Sequence, residues 1–358
     1  MITIDPPNPN DTRSVIADWI ELHAIVDPNG VSVNSQLINV LDFLEDGAAE
    51  PRTVDPETQE PLDEAILEEP RHQLIESVIE ELDYRSSTLN ECYPFEVNAR
   101  RKRLQRTNEN PITHPGKVVY LFCLFASAIR EHKLQPLDKV TEIEKHIANV
   151  FQVCACLAAG GYLGGEVSSF GFPRASGDGF LPALRKTFQR FGIGQVRDTD
   201  DIPAGLPTAL KDGGIDVIAW RDHPDSMPGK IYLLGQCASG QNWRQKSVVE
   251  YIEPLHGAWF TSRPATHSSP AMFIPFPLHH EIAEQSTDSF LSVVKTKFWS
   301  EEMRFGIIFD RFRVAHFAST CMQFEDHDRE RVDGADQFDR VKGWVQETFQ
   351  IAGVEVST

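Results

Sequence analysis

The fold is decided by the stretch KDGGIDVIAWRDHPDSMPGKIYLLGQCASGQNWRQK, residues 211–246. Two apolar runs flank a connection rich in Pro, Gly, Asp and Ser, and this composition is typical of a hairpin. Antiparallel pairing about a centre near Ser226 places Asp216, at the start of one strand, opposite Gln236, at the end of the other. Cross-strand neighbours lie about 5 Å apart. The hairpin therefore predicts a site where a carboxylate and an amide oxygen hold one metal ion.

The motif Gly-Gly-Ile-Asp-Val-Ile, followed by a strand that ends in Gln-x, resembles the PD-(D/E)XK nuclease superfamily, nearest its Mrr-like restriction branch. The resemblance is specific over Leu210–Lys246 and only architectural elsewhere. It implies a restriction endonuclease-like fold, DNA as substrate and Mg²⁺ or Mn²⁺ as cofactor. In such enzymes the Asp and the Glu or Gln help to bind the metal, and a Lys activates the attacking water. Asp216 and Gln236 are the implied catalytic and metal-binding residues.

The position of the family lysine is a departure from the motif. Residues i and i+2 on a strand share a face, so this lysine belongs at position 238, where the chain has Ala238. Lys246 is the natural catalytic replacement, because cap-forming residues before it predict a helix whose first turns direct an amine towards the hairpin. The alternative is that Lys246 is a solvated helix residue and the domain is inactive.

A helix before the hairpin carries a Glu in members of this superfamily, often after a Phe. The matching dipeptide here is Phe151-Gln152, in which an amide replaces the carboxylate. Glu144 and Glu166 are nearby alternatives, and the sequence leaves the choice open.

The composition predicts a soluble cytoplasmic protein. Hydrophobic residues make up 41% of the 358, and no stretch approaches the ~18 uninterrupted apolar residues of a membrane span. The N-terminus, MITIDPPNPND, lacks the parts of a signal peptide. The six cysteines show no ligand spacing, so we expect reduced thiols and no structural zinc. A net charge of −19 argues against a large non-specific polyanion-binding surface.

The chain is predicted to be of the α/β (α+β) class, with two parts. A helical N-terminal region, 1–136, contains an acidic loop at 47–70, and an α/β domain, 137–358, has a mixed central sheet flanked by helices. Within the second part, 302–309 is predicted to be a strand. The densest positive patch is NARRKRLQR, residues 98–106. It is the best candidate for a DNA contact, and its alternative is a solvated face. Its candidate nucleic-acid-binding residues are Arg100, Arg101, Lys102 and Arg103.

Three functions remain open. The first is a metal-dependent DNA endonuclease, an effector of bacterial restriction or antiphage defence with a protein partner and possible homo-oligomers. The second is a catalytically inactive module of the same fold that binds nucleic acid or a partner protein, favoured by Ala238, Gln152 and the acidic charge. The third is a cysteine hydrolase, suggested by Gln236 and Cys237. Strand alternation points these two side chains to opposite faces, so the geometry of a nucleophile with its oxyanion donor is not met.

Overall fold

The computed structural model describes residues 2–8, 11–38, 64–174, 176–206, 211–240, 242–282 and 289–354, without the side chains of 64–71 and 137. Residues 47–63 of the predicted acidic loop, 47–70, lie outside the described ranges. Its last part is helical instead, because Glu64–Leu89 is one helix. The run EAILEE at its start consists of residues with high helix propensity.

Helices are the commonest secondary structure, by residues, of the described chain. The α-helices are α1 Arg13–Val26, α2 Glu64–Leu89, α3 Pro115–Arg130, α4 Leu137–Glu144, α5 Ile147–Leu163, α6 Phe180–Phe191, α7 Val249–Trp259, α8 Phe290–Phe305, α9 Arg311–Met322, α10 Asp326–Arg329 and α11 Phe338–Ala352. Capping residues define several of their ends. The Thr12 hydroxyl accepts from Val15 N at the start of α1, and Gly164 takes a left-handed conformation after α5.

Four sheets contain the strands. The strands are β1 Thr3–Ile4, β2 Val31–Ser32, β3 Phe95–Asn98, β4 Arg103–Arg106, β5 Leu134–Gln135, β6 Glu166–Ser169, β7 Gln195–Val196, β8 Val217–Arg221, β9 Ile231–Cys237, β10 Phe260–Ser262, β11 Ser269–Phe273 and β12 Ile307–Phe309. The largest sheet has the order β12-β11-β9-β8-β6. Strands β6, β8 and β9 form an antiparallel meander, and β9, β11 and β12 are parallel. The mixed sheet and its helices confirm the predicted α+β class.

The two faces of the five-stranded sheet bury different sets of residues. Val217, Ala219 and Leu233 face one layer, which includes α5 and α9. Their neighbours along the strands, Ile218 and Leu234, face a second layer built on α6 and α7. This alternation follows from the period of two in a strand. The sheet is therefore buried between helices on both sides, which positions the ends of β8 and β9 at an edge of the molecule's core.

The predicted strand at 302–309 is only partly correct. Helix α8 continues to Phe305, and β12 begins at Ile307 after a turn at Gly306, whose φ is +75°. A Cβ at Gly306 would lie 2.2 Å from the Pro270 carbonyl oxygen, so glycine lets the chain reverse directly against β11.

One hydrophobic core spans both predicted parts of the chain. It joins Ile20 of α1 and Phe122 of α3 to Leu157 of α5, Ala315 of α9 and Val345 of α11. The boundary at 136/137 stays a prediction. A domain that begins there would share its core with the helices that precede it.

A buried ion network connects the N-terminal helices to α9. Arg85 Nε lies 2.7 Å from Glu81 Oε1, and its Nη1 lies 2.6 Å from Asp18 Oδ1 and 3.0 Å from Glu21 Oε1. Arg311 binds both oxygens of Asp18 at 2.7 Å. Burial raises the pKa of Glu21, although Arg85 opposes the shift. Three further side chains complete the network: Tyr93, Tyr120 and His279.

Candidate functional site

The predicted antiparallel hairpin is confirmed, and its register brings Asp216 beside Gln236. Val217 pairs with Gly235, and Asp216 N donates to Gly235 O at 2.8 Å. On its other side, the Asp216 carbonyl accepts from the amides of Phe170 and Gly171, at 2.7 and 3.0 Å. The backbone of Asp216 is thus held between two neighbouring chain segments.

The Asp216 carboxyl is half-buried and has no contacting cation among the described residues. Burial raises its pKa from 3.8 to about 6, while the hydrogen bond from Cys237 N to Oδ2, at 2.8 Å, opposes the shift. The charge of Asp212 raises this pKa further, and that of Lys246 lowers it. A buried acid with a strongly shifted pKa is a functional-site candidate, because ordinary core acids are paired.

Gly171 packs tightly against this carboxyl, and a larger residue would not fit there. A Cβ built on Gly171 would lie 2.6 Å from Asp216 Oδ1 and 2.5 Å from Gln152 Oε1. The Gln152 amide nitrogen donates to Ser169 Oγ at 2.8 Å and to Asp216 O at 3.3 Å. Two oxygen donors from different elements therefore lie close together beside Gly171.

The structure distinguishes between the three candidates for the helix residue. Glu144 pairs with Arg130 at 2.9 Å, and Glu166 pairs with Arg331 and lies 3.5 Å from Arg190. Gln152, on α5, is the one that contacts Asp216. The residue beside the carboxyl is thus an amide.

Gln236 contributes an unpartnered oxygen. The residue is 7% exposed, and its Oε1 is buried with no hydrogen-bond partner in the described part of the chain. The strand neighbours on its face, Leu234 and Ala238, pack away from α5. No hydrogen bond joins the described side chains of Gln236 and Asp216. The two residues are neighbours only through the register of β8 and β9. A buried amide oxygen without a donor is costly, and a bound cation would satisfy it.

Lys246 lies at the end of a 3-10 turn, Trp243–Gln245, and is exposed. The predicted placement in the first turns of a helix is wrong, because α7 begins only at Val249. Its positive charge still lowers the pKa of the Asp216 carboxyl, so the ammonium lies within electrostatic range of the site.

Cys237 does not have the properties of a nucleophile. Burial raises the pKa of its thiol well above the ordinary value, and the charge of Asp216 raises it further. A thiol in this state is protonated at neutral pH, and the thiolate is the reactive form. The site gives the cysteine hydrolase no support.

The positive patch belongs to a different sheet from Asp216. Arg100 and Arg101 are exposed on the turn between β3 and β4, whereas Lys102 pairs with Glu76 and Arg103 donates to the Asn29 carbonyl. Their sheet, β2-β4-β3, packs with α1 and α2. Two of the four predicted DNA-contacting residues therefore have cationic groups available.

The oxygen atoms at this site would make weak ligands for a hard divalent cation. Carboxylate and amide oxygens are ligands that Mg²⁺ and Mn²⁺ accept, and Mg²⁺ commonly keeps several waters beside one or two carboxylates. Asp216 is the carboxylate of this donor set, and Gln152 offers an amide oxygen. The predicted ligand Gln236 lies on the strand face turned away from α5, so its amide oxygen does not meet that of Gln152. Across the described ranges, no group of three or more His, Cys, Asp or Glu side chains could hold a metal ion.

Comparisons with known proteins found no matching family model, no matching curated protein and no matching solved structure. Among the described helices, none is by itself long and apolar enough to cross a membrane. One bent pair, Asp138–Glu144 with Ile147–Leu163, passes that test only when the two are taken together.

The raised pKa of Asp216 makes a prediction for the metal-free protein. Between pH 3.8 and about 6 the native state binds a proton that the unfolded state has lost, so the free energy of unfolding falls as pH rises through this interval. Asp216→Asn should abolish this fall in the free energy of unfolding, because the amide does not titrate. We expect the variant to gain on the order of 3 kcal/mol relative to wild type between pH 4 and pH 7. Urea denaturation in EDTA measures the free energies of unfolding of the two proteins. If their difference does not change with pH, the raised pKa of Asp216 is contradicted.

Proposed function

We propose that this chain has the restriction endonuclease-like fold and acts as a divalent-metal-dependent DNA endonuclease. The observation that carries the proposal is the half-buried Asp216 carboxyl at the end of the hairpin, whose pKa is raised and beside which the Gln152 oxygen lies against Gly171. The antiparallel meander β6-β8-β9, extended by the parallel strand β11 and preceded by α5, supports the fold assignment.

The residues take the following roles in this proposal. Asp216 and Gln152 supply oxygens to the cation, which when bound provides Lewis-acid chemistry and a water of lowered pKa. Because the carboxyl loses its proton by about pH 6, its ligating form prevails at neutral pH. The exposed Lys246 ammonium contributes positive charge to a phosphate that approaches from solvent.

The same proposal includes the cellular setting. The chain would be a cytoplasmic effector of bacterial restriction or antiphage defence, held silent by a protein partner. Its net charge of −19 disfavours a large non-specific DNA-binding surface, since phosphate contacts need Lys and Arg. Locally concentrated positive charge, or a partner protein that holds the DNA, would ease this difficulty.

A second candidate is the non-catalytic module that binds nucleic acid or a partner protein. The observation that favours it is the single carboxylate of the donor set, because the other oxygen comes from an amide. Neutral ligands bind divalent cations less tightly than carboxylates do. The two candidates therefore differ in whether a metal is held tightly enough for catalysis.

Nicking of supercoiled plasmid separates the candidates. The endonuclease requires Mg²⁺ or Mn²⁺ and shows no activity in EDTA. Wild-type protein that nicks no DNA with any divalent ion, with or without the products of neighbouring genes, would establish the non-catalytic module.

Gln152→Glu should strengthen metal binding. The new carboxylate would lie beside Asp216, and the charge count of a site is a main determinant of its affinity for hard cations. We expect the dissociation constant for Mn²⁺ to fall roughly tenfold or more. Calorimetric titration measures the constant. Asn149→Asp, one turn earlier on α5, is the matched control, and equal affinities of the two variants would remove Gln152 from the site.

A further inference from the structure

An exposed aromatic side chain stands next to the Asp216 site. Phe172 follows Gly171 directly and is 53% exposed. Its neighbour Gly171 is buried against Asp216 and Gln152. A scattered exposed apolar residue is ordinary on a protein surface. This one differs because its chain position fixes it beside the candidate site.

The segment that carries Phe172 is firmly held. Arg174 is buried, and its guanidinium donates to the carbonyls of Asp178 and Lys211. The same guanidinium lies 4.6 Å from the ring centroid of Phe170, which is itself buried in the second hydrophobic layer. Phe172 is therefore presented to solvent by an anchored backbone, so its ring can receive a flat ligand at low entropic cost.

One cationic group lies near the ring: Lys211 Nζ is 5.8 Å from its centroid. Exposed Lys246 acts electrostatically on the adjacent Asp216 carboxyl. Next to the loop is a cavity of about 90 Å³, open to solvent, which Pro173 and the exposed Arg340 line together. The nearby Asp212 carboxylate is engaged by the Gly214 amide at 2.9 Å.

The lining of this cavity is rich in amides. Asn149, Gln152 and Gln337 present donors and acceptors there. An aromatic platform, cations and amide groups together are the features that bind an extended nucleic-acid strand through its bases and its phosphates.

We propose that Phe172 stacks on an unpaired base and that the substrate of the Asp216 site is single-stranded DNA. The inference rests on the proposed endonuclease and names its substrate class. In a duplex each base face is covered by its neighbours, so a fixed aromatic ring finds no free face to stack on. A single strand exposes its bases and lets its phosphates follow Lys211, Lys246 and Arg340 across the site.

The experiment measures fluorescence anisotropy of a labelled oligo(dT) strand, and of the same strand in duplex with oligo(dA), with the full chain in EDTA. We expect the single strand to bind more tightly than the duplex. Phe172→Ala should weaken single-strand binding roughly tenfold or more, because stacking contributes substantially per base. Phe172→Trp should keep the affinity. Trp299→Ala is the control, since Trp299 is 66% exposed on α8.

The outcome separates the substrate class from the catalytic proposal, because binding in EDTA needs no metal. A Phe172-dependent preference for the single strand supports the inference even if no divalent ion supports nicking. Unchanged affinity in Phe172→Ala, a duplex bound as tightly as the single strand, or no DNA binding overturns the inference, whatever the nicking assay shows. Circular dichroism of each variant checks its fold.

Discussion

Asp216→Asn is expected to reduce Mg²⁺-dependent DNA nicking by roughly a thousandfold or more. The side chain supplies the carboxylate of a donor set whose other member is an amide oxygen. A catalytic metal contributes several kcal/mol of charge stabilisation, and each 1.36 kcal/mol is about tenfold in rate. The substitution keeps the shape of the side chain and its hydrogen bond to Cys237 N, so the fold should be retained.

Asp225→Asn is the matched control for that experiment. Asp225 lies in the same hairpin, is exposed and accepts from Met227 N, and its substitution changes the net charge equally. We expect its nicking rate to stay within about twofold of wild type, as for other surface changes. A rate for Asp216→Asn within about tenfold of wild type would exclude a metal-binding role for Asp216. First-order nicking rates under saturating Mg²⁺ measure both variants.

Arg85→Met should lower the free energy of unfolding by about 3–5 kcal/mol, the usual cost of removing one partner from a buried ion network. The guanidinium is fully buried and contacts Asp18, Glu21 and Glu81. Arg311 remains on Asp18 after the change, but Glu21 loses its contacting cation. Since small domains have roughly 5–15 kcal/mol of stability, this is a large fraction.

Guanidinium chloride denaturation, followed by tryptophan fluorescence, measures the loss. Arg100→Met is the control, because Arg100 is exposed on the β3–β4 turn; we expect a change of about 0.5 kcal/mol or less. Arg85→Lys should recover little stability, since one ammonium cannot reproduce a planar fork that bonds several groups. A loss below about 1 kcal/mol in Arg85→Met would show that the network adds little to the stability of the fold.

The hairpin was predictable because its information is local. Two apolar runs of strand length, separated by a polar turn, fix both the pairing and the approximate register. The register then places Asp216 beside Gln236 without reference to the rest of the chain.

The composition of the site was less predictable. The sequence proposed Gln152, Glu144 and Glu166 as the helix residue and gave no means of choosing. The choice depends on hydrogen bonds that join α5 to β6 and to the start of β8, across 17 and 64 residues of sequence. The position of Lys246 was predicted wrongly because Asn242 and Trp243 form a 3-10 turn instead of a helix start, and residue propensity alone does not separate the two.

The sequence by itself determined the hairpin, its register and the α+β class, because periodicity and turn chemistry act between residues close along the chain. Only the tertiary structure decided which side chain stands beside Asp216, that Gly171 packs against both of them, and that Arg85 and Arg311 meet on Asp18. These features join residues up to 293 positions apart. Their energies come from burial and from charge contacts that form when distant elements pack, and no local pattern in the sequence encodes them.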